Sequence, residues 1–217
     1  MAEERIGLNG QEATAALNKI EGAYEQTMNE IIDSMQQKVI NTISSTWFGN
    51  DAIEFMRDKF KPALDEAASQ IEKIFQSVND TITQNALNFD NEHNTSVFQK
   101  VSHKIKANTL TVDDMKSDSN SFVGITSSAE FENAKNMMDG ITEAIQSALK
   151  AAAAAASNSG FYGGGQQEAL IGSMNSIKKS LSSLSEELSA ATKTKLEQTK
   201  AREAEIAKAN ATTFGTE

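Results

Sequence analysis

Apolar residues recur every three or four positions from Asn9 onward, at Ala13, Leu17, Ile20, Tyr24, Met28, Ile31, Met35, Val39 and Ile43. That spacing draws one apolar stripe along one face of a helix, with Glu, Lys, Gln and Asn on the other faces. Asn9 stands where an N-cap would, and Glu12 completes a capping-box pair. The pattern predicts one helix from Asn9 to about Ser45, roughly 55 Å long at about 1.5 Å per residue. The stripe stops at SSTWFGND, where Gly49 permits a positive φ and Asn50 or Asp51 can cap a new helix. A second stripe follows through Ile53, Met56, Phe60, Leu64, Ala67, Ile71, Ile74, Val78 and Ile82. Two long amphipathic helices joined by so short a turn must lie antiparallel, stripe against stripe. Pro62 falls inside the second helix, removes a backbone donor and predicts a kink that leaves the stripe in phase.

The pattern then returns. Ser127 and Glu130 form another capping box, and Phe131, Ala134, Met138, Ile141, Ile145, Leu149, Ala152 and Ala155 repeat the stripe. After the turn SNSGFYGGGQQ come Leu170, Met174, Ile177, Leu181, Leu184, Leu188 and Ala191. An offset of 114 residues sets Trp47 on Phe161, Ile20 on Ala134, Tyr24 on Met138, Ile31 on Ile145, Met35 on Leu149, Met56 on Leu170 and Phe60 on Met174. This reads as an internal duplication of one helical hairpin; the competing reading is that any two heptad-like helices slide into register. The fold class expected is all-α: two long antiparallel hairpins forming an elongated four-helix bundle, an intramolecular pseudo-dimer. Its parts are residues 1–88, a connector at 89–127 and residues 128–217. The expected core is Leu17, Ile20, Tyr24, Ile31, Met56, Phe60, Ile71 and Ile74 from the first hairpin and Met138, Ile145, Leu170, Met174, Leu181 and Leu184 from the second. In the connector, Val97, Val101 and Ile105 suggest a short helix and TVDD the start of another, so partial order is expected. A self-contained bundle predicts a monomer, and hairpins exchanged between chains a homodimer.

Composition narrows the chemistry. The chain of 217 residues has one proline and no cysteine, so disulfides and thiolate catalysis are excluded. A formal net charge of −10 argues against a nucleic-acid partner. No stretch has the roughly 20 apolar residues of a membrane span, and the acidic start MAEERIGLNGQE does not read as a Sec-type leader. His93 and His103, with Asp90, Glu92, Asp113 and Asp114 nearby, lack the spacing of a metal site, so no metal or other cofactor is expected. GFYGGG follows no strand and lacks the Lys-Ser/Thr of a phosphate loop. With two histidines in so helical a chain no catalytic residues can be named, and the protein reads as no enzyme. The run Ala151 to Ala156 predicts a close helix crossing near the second turn; its alternative, membrane insertion, needs a longer and more apolar run.

A Trp-x-Gly turn, here Trp47, Phe48 and Gly49, between two long striped helices resembles the WXG (ESAT-like) family of the bacterial type VII (ESX) secretion system. The resemblance covers about residues 9–85. Over 128–208 the turn reads Phe161, Tyr162, Gly163, with an aromatic in the tryptophan's place. It implies hairpins paired into a four-helix bundle and a non-catalytic protein made in the cytoplasm and secreted without a Sec-type signal peptide. That protein would be a substrate or export partner, and its partners the secretion machinery or a co-secreted protein. Physically, Trp47 is either a lid over the open end of the apolar seam or a recognition knob. The Tyr-x-x-x-Asp/Glu export signal of actinobacterial members is absent, since neither Tyr24 nor Tyr162 has an acid four residues on. The polar tail from Lys195, with Ile206 and Phe214 as isolated apolar groups, is therefore either the export determinant or a solvated, frayed end. A membrane-active helical toxin component and a filament subunit are the competing functions.

Overall fold

The computed structural model describes residues 2–48, 50–96, 98–101, 124–125 and 128–214. Gly49, Val97, His103, Ile105, Asp113, Asp114 and Ser127 lie outside the described residues, as do the side chains of Asn9, Ile31, Phe48, Glu130, Phe131 and Phe214. The described chain is all-α apart from one two-residue pairing. The first helical stretch comprises α1 (Ala2–Asn29), a π-helical segment Glu30–Ile40 and α2 (Asn41–Thr46). After β1 (Trp47–Phe48) the second comprises α3 (Asn50–Phe55), a π-helical segment Met56–Phe60 and α4 (Lys61–His93). β2 (Gly124–Ile125) pairs antiparallel with β1, Ile125 opposite Trp47. α5 (Ser128–Asn158) and α6 (Gly165–Phe214) complete the chain.

Both π segments carry runs of steps of four, although such runs also occur in α-helix, at Ile20, Tyr24 and Met28 and at Val78, Ile82 and Ala86. A step of four in an α-helix overshoots a full turn by about 40°, so a run of such steps winds off the buried face. A π-helix, with i→i+5 bonding and roughly 4.4 residues per turn, falls about 33° short on a step of four and so offsets the α-helical overshoot. Met35, Val39 and Ile43 are such a run, as are Met56, Phe60 and Leu64, and all six are fully buried. α6 alternates steps of four and three, through Leu170, Met174, Ile177, Leu181, Leu184 and Leu188, and both α5 and α6 are α-helical throughout. The second π segment thus adds one residue to its stripe, while the offset stays at 114 across the first. Beyond Phe60 the buried positions of the two halves match at an offset of 113 instead of 114: Leu64 with Ile177, Ile71 with Leu184, Phe75 with Leu188. Pro62, expected to kink a uniform helix, sits at the second residue of α4, directly after the π segment. There its missing N–H falls where the bonding pattern is already changing.

Three expectations about boundaries are corrected. The first helix begins at Ala2, so Asn9 lies within it instead of capping it. The second runs past residue 88 to His93 and ends on Asn94 in the left-handed region, φ 55°. No helix forms over 98–101. Asp90 explains why: one carboxylate oxygen accepts from Thr95 Oγ1 (2.6 Å) and the other from Phe98 N (2.9 Å), which bends the exiting chain back. Phe98 is buried and Val101 packs against the same core. Gln99 N donates to Thr14 Oγ1 at 3.0 Å, tying this segment to the start of α1.

α1 lies against α4 and, more extensively, α5; α6 lies against α5 and α4. The second turn meets the far end of α4, where Asn85 Nδ2 donates to the Phe161 carbonyl at 2.9 Å. Lys195 of α6 pairs with Asp51 beside the first turn at 2.6 Å. The two turns therefore sit at opposite ends of the molecule.

Candidate functional site

The expected core residues Leu17, Ile20, Tyr24, Met56, Phe60, Ile71, Met138, Ile145, Leu170, Met174, Leu181 and Leu184 are all buried. Ile74 is only partly so, because it walls an open groove between α4 and α6. Within Ala151–Ala156, Ala152, Ala153, Ala155 and Ala156 are buried, where small side chains allow close backbone approach. Polar residues also line the interior, which the apolar pattern does not reveal. Thr27, Thr142 and Thr192 return their hydroxyls to carbonyls of their own helices at 2.7, 2.8 and 2.9 Å. Gln146 Nε2 crosses from α5 to the Met174 carbonyl on α6 at 3.2 Å. Asp139 accepts from Ser185 and Lys135, each at 2.7 Å. Partial burial pushes its carboxyl up, but those two donors outweigh it and hold the group below the usual range.

At the first end Trp47 is 3% exposed, its ring 5.5 Å from that of Phe55 and tilted against it. It closes the seam as a lid and offers almost no surface. At the other end Phe161 is half-buried, edge-on to Phe89 at 5.6 Å, and Phe89 stacks on His93 at 4.3 Å. In the second turn positive φ falls on Gly160 (76°) and Gly164 (57°), on either side of Phe161, Tyr162 and Gly163. Ser159 sets this up: its hydroxyl donates to the Ala156 carbonyl (2.6 Å) and accepts from Phe161 N (3.1 Å), ending α5 so that Gly160 takes the left-handed position. Asp90 and His93, weighed as metal ligands, are engaged in the helix end, His93 Nδ1 lying 2.9 Å from the Phe89 carbonyl. Among the described residues no group of three His, Asp or Glu side chains is placed to hold a metal ion.

Tyr162, 9% exposed, directs its hydroxyl to the Gln166 carbonyl at 3.2 Å, and burial raises its pKa. Tyr24, fully buried against Phe75, is pushed up to about 12 by burial and by the nearby charges of Glu72 and Glu21. These are the only two tyrosines. A phenol whose folded pKa exceeds its unfolded value stabilises the fold fully below that unfolded value, and the contribution disappears as pH climbs through the folded one. Expected, then, is alkaline unfolding between about pH 10 and 12, with phenolate absorbance rising only as helical circular dichroism falls. A phenolate rise near pH 10 in a still-helical protein contradicts this.

The α4–α6 groove, about 450 Å³, runs along the seam from Tyr162, with Ile74, Val78 and Leu170 as its apolar wall, Lys73 and Gln70 on one lip, and Ala169, Ser173 and Ser176 opposite. The other exposed feature is the end of α6. Thr199 is its last buried residue; from Lys200 to Thr212 every side chain is exposed, Ile206 at 46%. The polar tail continues α6 as helix to Phe214. No helix of the described residues is long and apolar enough to cross a membrane. No family model, curated protein or solved structure matches this chain.

Proposed function

We propose that this is a non-enzymatic protein exported by a bacterial type VII secretion system, as a substrate or export partner that acts through protein contacts. In this reading residues 1–88 and 128–217 are duplicated hairpins forming one elongated four-helix bundle, a pseudo-dimer within a single chain. The observation that carries it is the mutual covering of the two halves. The first hairpin's stripe lies against α5 and α6, as a second polypeptide would cover it in the WXG family. Matching buried positions and an aromatic turn in each half support the duplication, with the second π segment marking a single-residue insertion in the first copy. Because Trp47 is buried, recognition falls to the bare end of α6. The chain acts as a monomer, its seam already filled. The partner is the secretion machinery or a co-secreted protein.

The test is expression in a bacterium carrying a type VII system, with and without residues 200–217, and immunoblotting of cells and culture medium. The intact chain is expected in the medium, and the truncated chain is expected to fall at least tenfold there while accumulating folded in the cells. Equal export of both assigns no role to the tail, and export that persists when the type VII system is deleted rejects the pathway.

A further inference from the structure

The groove between α4 and α6 has a lining that selects for one kind of ligand. Ile74 on α4, with the edges of Val78 (4% exposed) and Leu170 (5% exposed), gives a narrow aliphatic wall, and the α4 lip from Gln70 to Val78, which also carries the Ser77 hydroxyl, extends about 12 Å at about 1.5 Å per residue. Lys73 stands on that lip, exposed, and makes no ion pair among the described residues. No carboxylate lines the groove, although the protein carries a net charge of −10. On the opposite side the hydroxyls of Ser173 and Ser176 are turned back onto the carbonyls of Ala169 and Gly172 at 3.0 and 3.2 Å. Their donors are spent within α6, so that side offers no hydrogens to a polyol or phosphate, and what it presents is small and close to apolar.

We infer that this groove is a binding site for an elongated amphipathic monoanion of the fatty-acid class, its chain along Ile74, Val78 and Leu170 and its carboxylate on the Lys73 ammonium. An aliphatic trough with a single cation at its lip and no competing acid suits a carboxylate with an apolar tail; an amine would meet Lys73 in repulsion, and a neutral alcohol would lose the ion pair. The inference does not depend on the export reading, because ligand binding by the purified chain is independent of the secretion route.

Isothermal titration of the full-length protein with dodecanoate, dodecanol and dodecylamine, each below its aggregation threshold, tests it. Dodecanoate is expected to saturate at one per chain, with dodecanol roughly fivefold weaker and dodecylamine weaker still. Lys73→Gln should bring dodecanoate down to the dodecanol affinity while leaving dodecanol unchanged. Ser173→Phe should fill the groove and remove binding of both, with helical content and melting temperature preserved; Ala169→Leu, on the same wall, serves if that variant does not fold. Absence of saturable binding, dodecylamine binding as tightly as dodecanoate, or undiminished binding in the folded groove-filling variant overturns the inference.

Discussion

Deletion of Lys59 leaves the protein folded, with a melting temperature within about 5 °C of the intact chain, whereas deletion of Gln76 abolishes the cooperative transition. Both residues are exposed and lie in the same continuous helical stretch, so side-chain contacts do not separate them. The separation comes from helical phase. Lys59 lies in the π segment Met56–Phe60, where one residue is surplus to an α-helical stripe. Removing it places Phe60 three residues after Met56 and Leu64 four residues after that, the α-helical rhythm of the second half. Gln76 lies in regular α-helix between Phe75 and Val78, both buried. Removing it rotates everything beyond by about 100°, driving Val78, Ile82 and Ala86 outward and polar residues inward. Circular dichroism during thermal unfolding distinguishes the outcomes; equal damage from the two deletions would mean that the π segment is not an inserted residue.

Phe75→Ala is the point substitution expected to cost most, about 3–5 kcal/mol, which lowers the melting temperature by roughly 10–15 °C in a chain of this size. Phe75 is 2% exposed and its ring centroid lies 5.0 Å from that of Tyr24, tilted by 54°, so truncation opens a cavity against the largest buried side chain of α1. Relaxation is limited because the neighbours of both rings are themselves fully buried, Ile71 on α4 and Ile20 and Met28 on α1. Exposed Gln76→Ala on the same helix should stay within about 0.5 kcal/mol and serves as the control. Denaturant unfolding of the two variants, with a loss below about 1 kcal/mol for Phe75→Ala, would show that the Tyr24 site collapses around the deletion.

Helix count, stripe positions and the two turns were legible because apolar spacing is a direct imprint of the buried face. The π segments were not legible, because the steps of four at Met35, Val39 and Ile43 and at Met56, Phe60 and Leu64 have the same spacing as α-helical Ile20, Tyr24 and Met28 and Val78, Ile82 and Ala86. The exit from α4 was not legible, because Asp90 looks like any acid of a solvated face until Thr95 and Phe98 fold back onto it. Likewise Gly160 takes the left-handed position through the local bonds of Ser159, which the turn motif alone cannot reveal. The groove at Ile74 depends on α6 presenting small residues across from it, a property of two helices together and of neither stripe alone.

The most extensive partner of α1 is α5, which begins only at Ser128. During synthesis at about 5–20 residues per second, the interval between completing α4 at His93 and completing α5 at Asn158 lasts roughly 3–13 s. Throughout that interval the nascent first half carries a bare apolar face on the ribosome, open to a neighbouring nascent chain or to a holdase. Long-separation contacts of this kind also slow refolding relative to helical proteins whose neighbours in sequence are their neighbours in space.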